Sequence, residues 1–385
     1  MVLLGKKILL GITGGIAAYK ACELLRVLQK RLVQVRVVMT DEATKFVGPT
    51  TFAALSNFPV YTKNAETALQ HIDYAQWADI YIIAPCSATS LARLISGTGE
   101  EPVSLCFLAM PGEKWVVPAM NSVMYNSPAV QKNLQTLRSW GVKVVEPEFG
   151  YLACGMEGQG KFPEPEDIAD EIEFGEPSAK KTLLITIGRT QEAIDPVRYI
   201  SNRSSGKTGE AIAKEFLRNG WRVFAVCGPM EAKLPKQCEK IEVKDAESMN
   251  KAVLKMQAKA NVIVHCAAVA DYRPKRAASQ KIKNSRAVQK LELEETSNIL
   301  TNTIKNKKKG QKIVSFALET ENAWENAKNK FKNGIDVLIV NTPASGNGGF
   351  GDDFVEYGIL TKNQSIELAF GSKEGLASRL FECTK

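Results

Sequence analysis

The sequence predicts an α/β protein made of two Rossmann-like domains, residues 1–177 and 178–385, and three observations lead there. A strand, a turn and a helix open each half: "KKILLGITGGIAAYKACELLRVLQK" in the first, "KKTLLITIGRT" and the later "GEAIAKEFLRNGWRVFAVCGP" in the second. Apolar strands then alternate with helical segments, the pattern of parallel sheets covered on both faces. Between the halves lies "EFGEPSAKK", Glu173 to Lys181, where glycine, proline, serine and alternating charge read as a linker.

The first strand ends in "GITGG". Thr13, Gly14 and Gly15 sit there at a strand-to-helix turn, where backbone N–H groups and a helix N-terminus can receive a phosphate. Phosphate binding and tight packing are equal readings of this turn, because it is not GxGxxG and no acidic residue ends the second strand, "VQVRVVMT". A third strand, "ADIYIIAP", ends at Pro85 and passes through small hydroxyl residues into a helix. Ligands of such sheets lie outside the carboxyl ends of the strands, so Thr13, Thr40, Ser87 and Thr89 are expected to converge on one anion. Three further signals follow: His71 at a helix start, Asn121 in the turn of "VVPAMNSVMYNSP", and Cys154 in the glycine-rich "GYLACGMEGQGKFPEP". Each alone also reads as an ordinary helix-start histidine, turn asparagine or small buried thiol.

In the second half "EAIDPVRYISNRSSGKTGEAIAKEF" is the most specific stretch. Ser204, Ser205 and Gly206 form an anion pocket at the start of a long helix, with Lys207 beside it; the upstream glycine of a P-loop is missing.

Composition narrows the function. A chain of 385 residues suits two hydrophobic cores. It has no run of eighteen uncharged apolar residues and its N-terminus has no cleavage signal, so a cytoplasmic protein without a membrane partner is expected. Eight cysteines without a CxxC pair, and only two histidines, His71 and His265, argue against zinc sites and disulfide frameworks. The net charge of +8 is modest, and "KNKKKG" carries no interleaved aromatics, which reads as a solvated loop and not a nucleic-acid surface. A mild basic excess suits phosphorylated small molecules. A nicotinamide-dependent dehydrogenase needs a dinucleotide fingerprint, and neither half has one.

In their order and spacing, His71, "PAMN" and the Cys154 loop resemble the flavin-dependent cysteine decarboxylases. With the second half, the likeness extends over nearly the whole chain to the bifunctional flavoproteins of coenzyme A biosynthesis, which join a 4'-phosphopantothenoylcysteine decarboxylase to a phosphopantothenate–cysteine ligase. The resemblance implies a flavodoxin-like first domain binding FMN through Thr13, Gly14, Gly15, Thr40, Pro85, Ser87 and Thr89. It implies that flavin oxidises the cysteine thiol so that CO2 loss has an electron sink, and that the electrons then return to the product. His71 would be the base or polariser at the substrate thiol, Asn121 would bind the substrate carboxylate beside Met124, and Cys154 would donate the proton. A carboxamide suits that place, since it holds a carboxylate without the charge that would resist CO2 departure.

For the second domain the resemblance implies CTP-dependent joining of 4'-phosphopantothenate to L-cysteine through an acyl-cytidylate, with Mg2+ whose ligands the sequence leaves unknown. Asn202 would serve amide formation. Arg198, Ser204, Ser205, Gly206, Asp271, Lys281, Phe316 and the helical pair Lys328 and Lys332 would surround nucleotide and acyl groups; Lys281 is placed among the catalytic residues. A homo-oligomer is implied, with trimers of the flavin domain sharing a site and dimers of the ligase domain. An FMN-binding regulatory protein lacking one or both activities is the alternative reading.

Overall fold

The apolar run after Lys7 alternates between two covered faces: Ile8, Leu10 and Ile12 join one core cluster and Leu9 joins another. That period of two is what a central strand requires. The computed structural model describes residues 3–64, 67–178, 180–283, 290–331, 334–342, 352–362 and 364–385. Chain contacts divide it into two units, Met1–Glu173 and Phe174–Lys385.

In the first unit β1 (Lys7–Ile12), β2 (Gln34–Met39), β3 (Val60–Tyr61), β4 (Ile80–Cys86), β5 (Glu113–Pro118) and β6 (Lys143–Val144) form one parallel sheet in the order β3-β2-β1-β4-β5-β6. The strand expected third is thus fourth, because the two-residue edge strand Val60–Tyr61 is too short to show periodicity. Apart from that edge, the order is that of flavodoxin-like sheets. All seven residues of β4 are buried. The chain leaves β1 for β2 on one side and returns to β4 on the other, which makes the carboxyl ends of β1 and β4 the switch point where ligands collect. A separate hairpin, β7 (Glu148–Tyr151) and β8 (Glu157–Lys161), carries the Cys154 loop.

The second unit centres on β9 (Thr182–Ile187), followed by the small hairpin β10 (Gln191–Ala193) and β11 (Tyr199–Ser201) and by β12 (Arg222–Cys227), β13 (Glu239–Glu242) and β14 (Val262–His265). After the hairpin β15 (Tyr272–Pro274) and β16 (Leu293–Glu295) come β17 (Lys312–Leu318), β18 (Val337–Thr342), β19 (Phe354–Thr361) and β20 (Ser365–Ser372). The main sheet runs β13-β12-β9-β14-β17-β18-β19-β20, parallel as far as β18 and antiparallel beyond it. The switch point here lies between β9 and β14. Among the described residues no helix is long and apolar enough to cross a membrane.

Candidate functional site

At the first switch point a cavity of ≈ 680 Å³ is lined by Thr13, Gly14, Gly15, Pro85 and Ser87 on one side and by Asn121, Met124 and Cys154 on the other. That volume fits a cofactor-sized ligand. Thr13 is fully buried; its hydroxyl donates to Pro85 O at 2.9 Å and accepts from Ser87 N at 2.9 Å, tying the ends of β1 and β4 together. The Ser87 hydroxyl accepts from Ser90 N and so caps the helix Ala88–Ser96.

Of the four hydroxyls expected to converge on one anion, Thr13 and Ser87 line the cavity. Thr40 caps the short helix Asp41–Thr44 by accepting from Ala43 N at 3.2 Å, and Thr89 is exposed on the helix that Ser87 caps; neither lines the cavity. The cause is general: a hydroxyl at a strand-to-helix turn finds the helix's own unpaired N–H groups nearest.

Asn121 occupies the N-cap of the helix Ser122–Tyr125, its Oδ1 accepting from Val123 N at 2.8 Å. This leaves Nδ2 to donate to Cys154 Sγ at 3.2 Å. The pair meets because β8 lies directly on the 120–122 turn: Met120 N donates to Gly160 O at 3.1 Å, and a Cβ at Gly160 would stand 2.1 Å from Met120 O. The Met156 backbone amide and then the Asn121 carboxamide hold the exposed Cys154 thiol below the usual thiol range. Burial does the opposite elsewhere, pushing Cys106 up to about 12 and Cys227 up to about 11. Lys20 and Lys161, both within reach of Glu164, are the cations of the cavity wall, and Tyr151 and Phe162 add aromatic surface. Only chain geometry brings Lys20 and Tyr151 here; no motif in the sequence marks them.

His71 lies in the first turn of the helix Gln70–Trp77, where its carbonyl oxygen accepts from Cys106 Sγ at 3.7 Å. It does not line the cavity of its own chain.

In the second unit two cavities adjoin at Ala267 and Phe316. The first, ≈ 210 Å³, is lined by Ser204, Ser205, Gly206, Lys207 and Lys373, at the N-terminus of the helix Lys207–Arg218. Gly206 has φ +84, the conformation that turns this loop into the helix. Arg189 Nη1 donates to Ser204 O at 2.9 Å and steadies the loop from below. Lys373 is buried, donates to Asp352 O, and burial lowers its pKa. The second cavity, ≈ 550 Å³, is lined by Asp271, Glu295, Ser297, Asn298 and His265. Burial lowers the His265 pKa to about 4, so the ring is neutral.

Asn202, Arg198, Lys281 and Lys328 line neither cavity. Asn202 Nδ2 donates to Val269 O at 2.9 Å, two residues before Asp271. Arg198, expected to face a substrate, donates instead to Asp195 through Nε at 2.9 Å and through Nη2, and reaches Ile282 O at 2.9 Å. Asp195 also accepts from Val197 N, Arg198 N and Ile282 N, and the Arg198 guanidinium foremost holds its carboxyl well below the usual carboxylate range. This buried hub fixes the backbone next to Lys281, whose own side chain is exposed. Lys328 is exposed on the helix Ala323–Lys330; Lys332, its expected partner, lies outside the described residues.

Comparison with known proteins fits the two-unit layout. Residues 3–174 match a family model described as Flavoprotein, and residues 178–385 match one described as DNA/pantothenate metabolism flavoprotein C-terminal domain. The chain is 40% identical over 389 residues to the Coenzyme A biosynthesis bifunctional protein CoaBC of Haemophilus influenzae, covering 99% of this chain and 97% of that one. To the protein of the same name in Bacillus subtilis it is 39% identical over 361 residues, covering 90% of this chain and 88% of that one. A crystal structure of the C-terminal domain of CoaBC is similar at 32% identity and a TM-score of 0.44, covering 52% of this chain and 92% of that chain.

Proposed function

The chain belongs to the family of bifunctional coenzyme A biosynthesis proteins, and from that membership we propose how its two units divide the chemistry. It is a bifunctional enzyme, a phosphopantothenate–cysteine ligase and a phosphopantothenoylcysteine decarboxylase. The ligase uses CTP, and its amide is the substrate of the decarboxylase.

FMN fits the first cavity. The volume is adequate, the Gly14–Gly15 turn presents main chain to a phosphate, and Tyr151 and Phe162 offer aromatic surface to a planar ring. When bound, FMN supplies the two-electron oxidation and its reversal. The chain's own residues do the rest. Asn121 binds the substrate carboxylate through its amide, Met120 and Met124 keep water from it, and Cys154 delivers a proton to the product carbon. The observation that carries this reading is the 3.2 Å contact of Asn121 Nδ2 with Cys154 Sγ, because it puts a carboxylate binder and an acid within one bond of each other.

For the ligase, Ser205, Gly206, Lys207 and Lys373 are the anion-binding groups and Asp271 faces the uncharged part of the nucleotide. Mg2+ comes with the triphosphate, its usual carrier. Asn202 steadies the Asp271 loop from its side chain during amide formation.

The shared-site expectation also has support. His71 is absent from its own chain's cavity, while Ile16, Tyr19, Met124, Phe149 and Tyr151 are exposed, apolar surface of the kind a neighbouring chain covers. We assign the first unit to trimers and the second to dimers on the family likeness.

The test is to incubate the purified protein with phosphopantothenate, cysteine, CTP and Mg2+, follow products by mass spectrometry and record visible absorbance. Yellow protein that yields phosphopantetheine and CO2 is the expected result. Colourless protein that stops at phosphopantothenoylcysteine would refute the decarboxylase assignment, and no amide at all would refute the ligase.

A further inference from the structure

We propose that His265 reads the base of the nucleotide in the ligase site, its Nε2 accepting a hydrogen bond from the exocyclic amino group of cytosine. The inference rests on the CTP-dependent ligase reading and specifies a residue that selects the nucleotide.

The argument begins with register. His265 ends β14 and stands opposite Thr186 of β9 and Ser315 of β17. Neighbours in a parallel sheet point to the same face, so the three form one polar row across three adjacent strands. One step earlier in each strand pair, Leu184 and Ile263 lie on this same face in an ordinary apolar core. All three polar residues line the ≈ 550 Å³ cavity. Thr186 is committed, its Oγ1 accepting from Cys266 N and Ala267 N at 3.2 Å each. His265 Nε2 is buried and has no hydrogen-bond partner among the described residues. A buried polar atom of that kind calls for a ligand group to complete it.

Charge decides which part of a nucleotide enters. The adjoining smaller cavity holds Lys207, Lys373 and the start of the helix Lys207–Arg218, and so takes the phosphates. The His265 cavity holds Asp271 and Glu295 and no cation, which repels phosphates and suits ribose hydroxyls and a base. The base is the part farthest from the phosphates, and His265, on the strand and not on the rim loops, is at the floor. A neutral ring with an accepting Nε2 matches the amino group at position 4 of cytosine and opposes the carbonyl oxygen at the same position of uracil.

The experiment compares CTP with UTP as nucleotide for amide formation in the full-length protein and in His265→Phe and His265→Asn. The wild type should prefer CTP. His265→Phe, similar in bulk but unable to hydrogen-bond, should raise KM for CTP about tenfold, with kcat and the KM for phosphopantothenate kept and UTP used no worse. His265→Asn, which can still accept, should recover part of the loss. A wild type indifferent to the two nucleotides, a His265→Phe that raises both KM values equally, or one that changes neither would overturn the proposal. Thermal melting checks the fold of each variant, and if His265→Phe does not fold, His265→Gln is judged by the same CTP-to-UTP ratio. A wild type forming no amide with CTP would overturn the ligase reading itself, a result distinct from all of these.

Discussion

Replacing Gly160 by alanine isolates the contact that brings the proposed acid to the carboxylate binder. The added methyl group would stand 2.1 Å from Met120 O and 3.5 Å from the Asn121 carbonyl carbon, where real Cβ contacts stay beyond 3.0 Å. Something must shift on the order of 1 Å, and β8 carries the Cys154 hairpin with it. The Gly160 backbone itself, at φ +139, adds strain for any side chain. Together these cost about 1–3 kcal/mol, a fall of about 3–10 °C in the melting of the first unit. Function should suffer more than stability, because a displacement on the order of 1 Å in reacting geometry costs about a hundredfold in rate. The assay measures decarboxylation of phosphopantothenoylcysteine and, on the same preparation, its formation by the ligase. Gly155→Ala is the control: its φ of +80 brings strain, but nothing lies within 4 Å of the new methyl group, so decarboxylation should fall less than about fivefold. A Gly160→Ala enzyme that decarboxylates at the wild-type rate, or loses both activities alike, would refute the reasoning.

The other predictions concern protons, positioning and assembly. Cys154 must be protonated to act as an acid, and its pKa is lowered, so decarboxylation should fall as pH rises through a value under the usual thiol pKa; in Asn121→Ala, titration of the Cys154 thiolate by ultraviolet absorbance should move upward. Asp195→Asn should cut ligase activity at least about tenfold, read by amide formation, while decarboxylation is untouched, because the hub that places the Lys281 segment loses its charge. A group whose folded pKa is depressed contributes stability that is in place above its unfolded pKa and lost as pH falls through its folded one; the second unit should therefore begin to weaken below about pH 6.5, where unfolded His265 gains its proton, and weaken further under about pH 4, where Asp195 is protonated on unfolding. Chains carrying His71→Asn and chains carrying Cys154→Ser, each inactive alone, should regain decarboxylation when assembled together if the site is shared. Continued inactivity of well-folded mixed assemblies would count against sharing.

What the sequence discloses follows from how local the cause is. The strands Lys7–Ile12 and Ile80–Cys86 are continuous apolar runs, and the turns at Thr13, Asn121 and Cys154 are marked by glycine or proline nearby, so these elements and the residues that line the first cavity are legible in sequence. The edge strand Val60–Tyr61 exists only because β2 offers it hydrogen bonds, which no local pattern records. A capping hydroxyl and an anion-binding hydroxyl look alike in sequence, so Thr40 and Thr89 read there like Thr13 and Ser87. For Arg198 the resemblance implies a substrate contact, while its bond to Asp195, only three residues away, is visible only once the fold buries that carboxylate. His265 enters the sequence reading only as one of two histidines, too few for a zinc site; its place beside Thr186 and Ser315, far apart in the chain, comes from the sheet.

The capping hydroxyls of the first unit carry a consequence for how this site can change. Since Thr13 and Ser87 spend their oxygens on bonds within the protein, a phosphate at the Gly14–Gly15 turn is left to peptide N–H groups and to the Lys20 and Lys161 cations of the cavity wall. Peptide groups neither titrate nor mutate. A receptor written in main chain tolerates changes of side chain so long as the path of the chain is kept, and its peptide groups add no titration of their own to the hold on the anion.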